Sequence, residues 1–168
     1  MSYTDHQSAA EPIVARAAVV TLSDTRTVVT DTSGHAIRRL LVEAGHRAEH
    51  YHLIKDDAAQ LEPLLNELLS HPEVDLILTN GGTGISRRDL TVPVIERHID
   101  TPLPGFGELF RMLSWEQVGS GAMLSRALGG VARGKLLFAM PGSTKAVELA
   151  MTKLVLPELK HLLRELRK

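Results

Sequence analysis

An α/β protein, with a mostly parallel sheet covered by helices on both faces, is what three features of this sequence predict. Apolar runs of strand length alternate with amphipathic helical stretches in the order β-α-β-α-β-α-α-β-α, the pattern that joins parallel strands through crossover helices. Three of the strand runs end in small polar loops: Ser23-Asp24-Thr25-Arg26, Asn80-Gly81-Gly82-Thr83-Gly84 and Pro141-Gly142-Ser143-Thr144. Parallel pairing brings those loops to one edge of the sheet, where proteins of this class hold their ligands. The length of 168 residues suits one domain with a full core.

Residues 1–12 are polar, lack the apolar stretch of a secretory signal, and read as a loose tail before a domain spanning 13–168. Ile13 to Leu22 reads as a first buried strand. Thr30 to Gly34 offers several N-cap candidates for a helix to about Ala44, with Ile37, Leu40, Leu41 and Ala44 on its apolar face and Gly45 as its stop. Arg47 to Ile54 reads as a strand with His50 and His52 on one face. A metal pair there lacks a third nearby ligand, and a zinc site needs three or four. Lys55-Asp56-Asp57 follows, then a helix over 57–70 whose Asp57 and Gln60 resemble a capping box and whose stripe is Leu61, Leu64, Leu65, Leu68 and Leu69.

Val74 to Thr79 is a short, buried-looking strand, and the glycine-rich turn after it leads to Ser86, Arg87, Arg88 and Asp89. Thr91 to Ile99 reads as a short helix. Pro102 and Pro104 break the chain, and a helix from Gly105 to about Trp115 comes next. Gly119 to Leu124 is ambiguous, and Ser125 to Val131 is a strand or an extended loop. Lys135 to Met140 is a further strand. A helix with Val147, Ala150, Met151 and Leu154 on one face follows it, and Pro157 starts a last helix carrying Leu159, Leu162, Leu163 and Leu166.

Composition narrows the functional classes. A net charge of −1 gives no general attraction to nucleic acid or to an anionic membrane. The absence of cysteine excludes disulfides, a thiol nucleophile and Cys-ligated zinc, and fits a cytoplasmic protein. No apolar run approaches the ~18 residues of a membrane span. Of the few aromatic residues, Phe106, Phe110 and Trp115 cluster within ten positions. They form either a pocket wall or a subunit contact, and the apolar character of their helix favours the contact. Gly129 to Leu136, GGVARGKL, nearly spells a phosphate-binding loop, but Leu136 replaces the required Ser or Thr and the segment precedes a strand instead of following one.

The loops at the sheet edge combine two kinds of group. Bare backbone amides at Gly81, Gly82 and Gly84, the hydroxyls of Ser23, Thr83, Ser86, Ser143 and Thr144, and Arg26, Arg87 and Arg88 favour phosphate. The carboxylates Asp24, Asp56 and Asp89 repel it unless a cation such as Mg²⁺ lies between. A site holding both sets suits phosphoryl or nucleotidyl transfer. The plainer alternatives are a tight strand-to-helix turn with solvated charges, an exposed turn residue at Asp56, and at Asp89 a carboxylate that favours a helix N-terminus.

DTSGHAIRRLLVEAGH, TNGGTGISRRDLT, LPGFGELFRMLS and SRALGGVARGKLLFAMPGSTKA together resemble the molybdenum cofactor biosynthesis protein B family. That family is related to molybdopterin adenylyltransferases and to gephyrin-like domains, and the resemblance runs from about residue 13 to residue 158. It implies a three-layer α/β/α fold around a mainly parallel sheet, assembled as a homotrimer or homohexamer. It further implies Mg²⁺-dependent adenylylation of molybdopterin by ATP with release of pyrophosphate, and the molybdenum-insertion protein as a further partner. By the same resemblance the catalytic residues are Asp56, Asp89 and Glu108, with Asp56 and Asp89 on the metal. Gly81, Gly82, Thr83, Gly84, Gly142 and Ser143 bind substrate, joined on position by Ser23, Asp24 and Arg88. Arg88-Asp89-Leu90-Thr91 argues for a working site. In contrast, AMPGST, FRMLS and Lys55 depart from the usual adenylyltransferase pattern. That leaves open a second reading, a non-catalytic molybdopterin-binding or assembly protein.

Overall fold

The computed structural model describes residues 13–168; the tail expected over residues 1–12 lies outside them. Among the described residues, β1 (Arg16–Leu22), β2 (Arg47–Ile54), β3 (Leu76–Asn80), β4 (Thr101–Pro102), β5 (Leu128–Ala132) and β6 (Lys135–Met140) form one sheet in the order β2-β1-β3-β6-β5-β4. The first four strands of that order are mutually parallel, and β5 runs antiparallel to both β6 and β4. The sheet is therefore mainly parallel.

Strand alternation sorts the core into two layers. On one face Ala17 and Val19 of β1, Leu76 and Leu78 of β3, and Leu136, Phe138 and Met140 of β6 pack under α1 (Thr32–Glu43), α4 (Pro104–Val118), α5 (Thr144–Ala150) and α6 (Leu156–Leu166). On the other face Ala18, Val20, Leu22, Ile77, Leu137 and Ala139 pack under α2 (Ala58–Ser70) and α3 (Thr91–His98). Both faces of the central strands are buried, which explains their unbroken apolar runs. The result is the three-layer α/β/α arrangement.

Several local expectations change. The α1 face buries Ser33, Gly34, Ala36, Ile37 and Leu41, with Leu40 packed partly buried against the same core as expected, while Ala44 is the exposed C-cap. At α2, Asp57 caps by accepting from Ala59 N–H at 3.0 Å, but Gln60 reaches back to Lys55 N–H and not to Asp57, so no reciprocal capping box forms. The GGVARGKL segment is a hairpin between β5 and β6, turning at Arg133 (φ 47°) and Gly134 (φ 74°). Two successive residues of positive φ suit the twist of a tight hairpin.

The last helices are continuous, not broken at Pro157: α5 passes through a π turn, Met151–Val155, directly into α6. Proline lacks an N–H and its ring crowds the carbonyl four residues back, and a widened turn just before it relieves that conflict. The aromatic trio splits. Phe106 and Phe110 are buried, with Phe106 4.8 Å from Phe138 between ring centroids, whereas Trp115 is 62% exposed. His50 packs edge-on against His71 at 4.7 Å, which gives it a structural neighbour.

Candidate functional site

The loops that follow β1, β2, β3 and β6 meet at the carboxyl edge of the sheet. Ser23 N–H donates to Ile54 O at 2.9 Å, Asp56 N–H to Asp24 Oδ1 at 3.3 Å, and Gly81 N–H to Met140 O at 3.0 Å. Arg26 crosses from the first loop to the last, donating to Gly142 O at 2.8 Å and to Asp31 Oδ1 at 3.2 Å. Gly81 (φ 98°) and Gly82 (φ 63°) adopt left-handed backbone. A Cβ on Gly81 would strike Leu22 O, and one on Gly82 would overlap both Thr91 Oγ1 and Asp56 Oδ1. Glycine is required here by conformation and by space.

Beneath these loops lies a buried polar network. Asn80 donates to Thr21 Oγ1 at 2.9 Å and accepts from Ser33 at 2.7 Å, and Tyr51 donates to Asp31 Oδ2 at 2.7 Å. Asp31 is fully buried. Burial alone would raise its carboxyl, but hydrogen bonds from Thr21, Tyr51, Gly34 N–H and Ser33 prevail and hold it below the ordinary carboxylate range.

A cavity of about 1180 Å³ opens beside the loops. Gly81, Gly82, Thr83, Gly84, Asp89, Gly142 and Ser143 line it, and Phe110, Val118, Leu124 and Leu149 add apolar wall. Asp56 lies just behind Gly82. Its Oδ1 and the Thr91 hydroxyl are both buried and both lack a hydrogen-bond partner. Burial, then the charges of Asp89 and Asp24, raise the Asp56 carboxyl above its ordinary value, with the Leu90 backbone N–H opposing. Among the described residues no three acidic or histidine side chains already converge as a metal cage. Mg²⁺ needs only one or two carboxylates, and takes its remaining oxygens from water and substrate phosphate. Two unpartnered buried oxygens next to mutually repelling carboxylates form a hard-oxygen donor set that suits such a cation.

Other expected site residues are held by local structure or lie outside the cavity lining. Ser23 shapes its own loop, accepting from Thr25 and Arg26 N–H at 3.3 and 3.1 Å, so its hydroxyl is engaged away from the cavity. Ser143 caps α5, accepting from Ala146 N–H at 3.2 Å. Asp24 and Arg88 pair at 3.8 Å outside the cavity lining, with Arg88 84% exposed. Glu108 does not join Asp56 and Asp89. It is exposed and lines a second cavity of about 480 Å³ between α3, α4 and β5, with Arg111 and Arg126. The cause is helical phase: Phe106, Gly107 and Phe110 are the positions of α4 that turn inward.

Residues 18–161 match the family model described as a probable molybdopterin binding domain. The chain is 48% identical over 169 residues to the molybdenum cofactor biosynthesis protein B of Bacillus cereus, covering 100% of this chain and 99% of that one. This chain belongs to the molybdenum cofactor biosynthesis protein B family. Bacillus subtilis has a protein B 46% identical over 169 residues, covering 99% of that chain. Among solved structures, one of a molybdenum cofactor biosynthesis protein B superposes with a TM-score of 0.90 at 48% identity, covering 94% of this chain and 99% of that one. The tungsten cofactor synthesizing protein of Pyrococcus furiosus superposes at 0.82 with 33% identity, covering 94% and 100%.

Two residues of this protein B family member escaped the sequence reading. Thr91 was visible as the end of the Arg-Asp-Leu-Thr segment and the start of a short helix, but its buried hydroxyl depends on the approach of Asp56 from another loop. Arg126 stood in the SRALGG segment with no role attached. Its guanidinium donates to Asp89 O at 2.9 Å, to Thr83 O at 3.4 Å and to Gly84 O.

Proposed function

We propose that this protein transfers the adenylyl group of ATP to the terminal phosphate of molybdopterin, with release of pyrophosphate, as a step of molybdenum cofactor biosynthesis. The observation that carries the reading is the pair of buried, unpartnered oxygens, Asp56 Oδ1 and Thr91 Oγ1, behind Gly82 and next to Asp89. The cavity volume supports it, because about 1180 Å³ exceeds the ~300–1,000 Å³ usual for a single small ligand and leaves room for two co-substrates.

Asp56 and Asp89 would hold Mg²⁺, with the Thr91 hydroxyl beside them. When bound, the ion neutralises phosphate charge as pyrophosphate departs. The chain's own groups do the rest. The Gly81 N–H is taken by Met140 O, so the backbone amides of Gly82 to Gly84 receive phosphate oxygens, the exposed Arg88 adds positive charge nearby, and Phe110, Val118 and Leu124 cover the flat rings. The molybdopterin phosphate oxygen forms a bond to the α-phosphorus of ATP as the bond from that phosphorus to the bridging oxygen breaks. The nucleophile is already anionic, so no general base is needed, and the transfer as written does not draw on Glu108, which lies in the second cavity.

We place the reaction in the cytoplasm, carried out by a homotrimer or homohexamer that passes its product to the molybdenum-insertion protein. Among the described residues no helix is long and apolar enough to cross a membrane. One feature favours the rival reading, a protein that binds molybdopterin without chemistry: Asp89 Oδ2 already accepts from Ser86 N–H at 2.7 Å. The test is turnover of molybdopterin and ATP with Mg²⁺, quantifying adenylylated product and pyrophosphate. Asp89→Asn lowers kcat by about 100-fold while molybdopterin binding persists. Binding without product in the unaltered protein would favour the rival.

A further inference from the structure

Residues 83–89 form a loop that is well tied to itself and poorly tied to the rest of the molecule. Its internal hydrogen bonds are Asp89 N–H to Ser86 O at 3.1 Å, Arg88 N–H to Ser86 Oγ at 3.2 Å, and Ser86 N–H to the Asp89 carboxylate at 2.7 Å. Ile85, Ser86, Arg87 and Arg88 are exposed, and α3 starts behind the loop with no side-chain cap at Leu90. The Arg88–Asp24 pair at 3.8 Å is a solvated contact of little strength.

Arg126 supplies what the loop lacks. It enters from just before β5, and one guanidinium spans the carbonyls of Thr83, Gly84 and Asp89. The planar fork of arginine can meet three acceptors at once, which an ammonium on a flexible stem cannot do in one geometry. The three carbonyls sit at both ends of the loop, so the guanidinium closes it like a clasp.

We propose that Arg126 is a positioning residue, which fixes the 83–89 loop to the sheet and thereby holds the Asp89 carboxylate beside Asp56. Its consequence for turnover rests on the adenylyl-transfer reading given above; its consequence for the loop does not. Arg126 touches neither substrate, and its effect passes through the backbone of Asp89. It also lines the second cavity with Glu108 and Arg111, so that cavity opens onto the clasp and not onto the reacting groups.

The experiment compares Arg126→Gln and Arg126→Lys with Arg111→Gln in the full chain. Arg111 shares the second cavity but makes a single 3.4 Å bond to Ser125 O. Amide hydrogen exchange is followed by mass spectrometry, together with kcat and KM for ATP. Arg126→Gln speeds exchange over residues 83–89 by at least about tenfold and leaves β1 and β3 unchanged, because three hydrogen bonds to one segment are lost. Its kcat falls by about 100-fold with little change in KM, as a misplaced catalytic group requires. Arg126→Lys lies between the two, and Arg111→Gln matches the unaltered protein in both readouts.

Unchanged exchange over 83–89, or exchange raised equally across the sheet, would overturn the proposal. If Arg126→Gln does not fold, Arg126→Lys decides by the same criteria. An unaltered protein without turnover would defeat the adenylyl-transfer reading alone, and the exchange data would still judge the clasp.

Discussion

Asp31 and Asp56 stand a few residues from the same loops, and their surroundings drive them in opposite directions. Asp31 is buried but receives hydrogen bonds, so its folded carboxyl titrates below the ordinary 3.8; the stability it adds is present above that value and is lost as pH falls through the folded one. Asp56 is raised by burial and by Asp89 and Asp24, so its charge is a burden that is absent in acid and grows as pH rises through its folded value. We therefore expect Asp56→Asn to stabilise the ligand-free protein at neutral pH, with the gain vanishing in acid, while abolishing turnover. Urea unfolding at several pH values measures this, and a variant less stable than the parent at neutral pH would sink it. The sequence showed that Asp56 follows a strand and that Asp89 follows a glycine loop. It could not show the orphaned Oδ1, because that atom's isolation is created by Gly82 and Thr91 arriving from elsewhere in the chain.

Among the elements, legibility followed the strength of the local pattern. β3 and β6 were readable because fully buried strands are uninterrupted apolar runs, and α2 because its leucines repeat at helical spacing. β4 was not, since two residues ending in a proline carry no strand signal and exist as a strand only through pairing with Val131 and Gly130. The π turn was hidden for a similar reason: nothing in 151–155 differs from ordinary helix until Pro157 is placed. The turn between α1 and β2 holds another feature set by its neighbours. His46 is buried and its Nδ1 accepts from Ala15 N–H at 3.1 Å, so the ring must be neutral. Burial, then the charge of Lys160 on α6, lower its affinity for a proton. A lowered folded value means stability that is present above the ordinary 6.5 and lost as pH falls through the folded value. The midpoint of thermal unfolding should fall between about pH 7 and about pH 5, and less so in His46→Asn, whose amide oxygen can accept the same N–H without titrating. Equal slopes in the two proteins would assign the acid lability to another group.

For the molecule as a whole, the outer face of α4 and the 3₁₀ turn after it (Gly119–Leu124) is the surface that a monomer explains least. Leu109, Met112, Trp115 and Val118 recur at three-residue spacing, and Met123 and Leu124 extend the stripe; all six are exposed. The aromatic cluster in the sequence pointed here but blended two roles, because Phe106 and Phe110 turn inward while Trp115 turns out. Large apolar side chains left exposed together in one segment favour a protein contact, and each one covered there contributes about 1.5–3 kcal/mol. We expect light scattering to give the mass of a trimer or hexamer, and Met112→Glu with Trp115→Glu to shift it toward the monomer with circular dichroism unchanged. A monomeric parent protein would overturn the assignment of the stripe. Val118 and Leu124 belong both to the stripe and to the wall of the large cavity. Loss of the contact therefore loosens one side of the site, and the double variant should lose turnover together with assembly. A monomeric variant with full turnover would separate the two and make the stripe a matter of assembly alone.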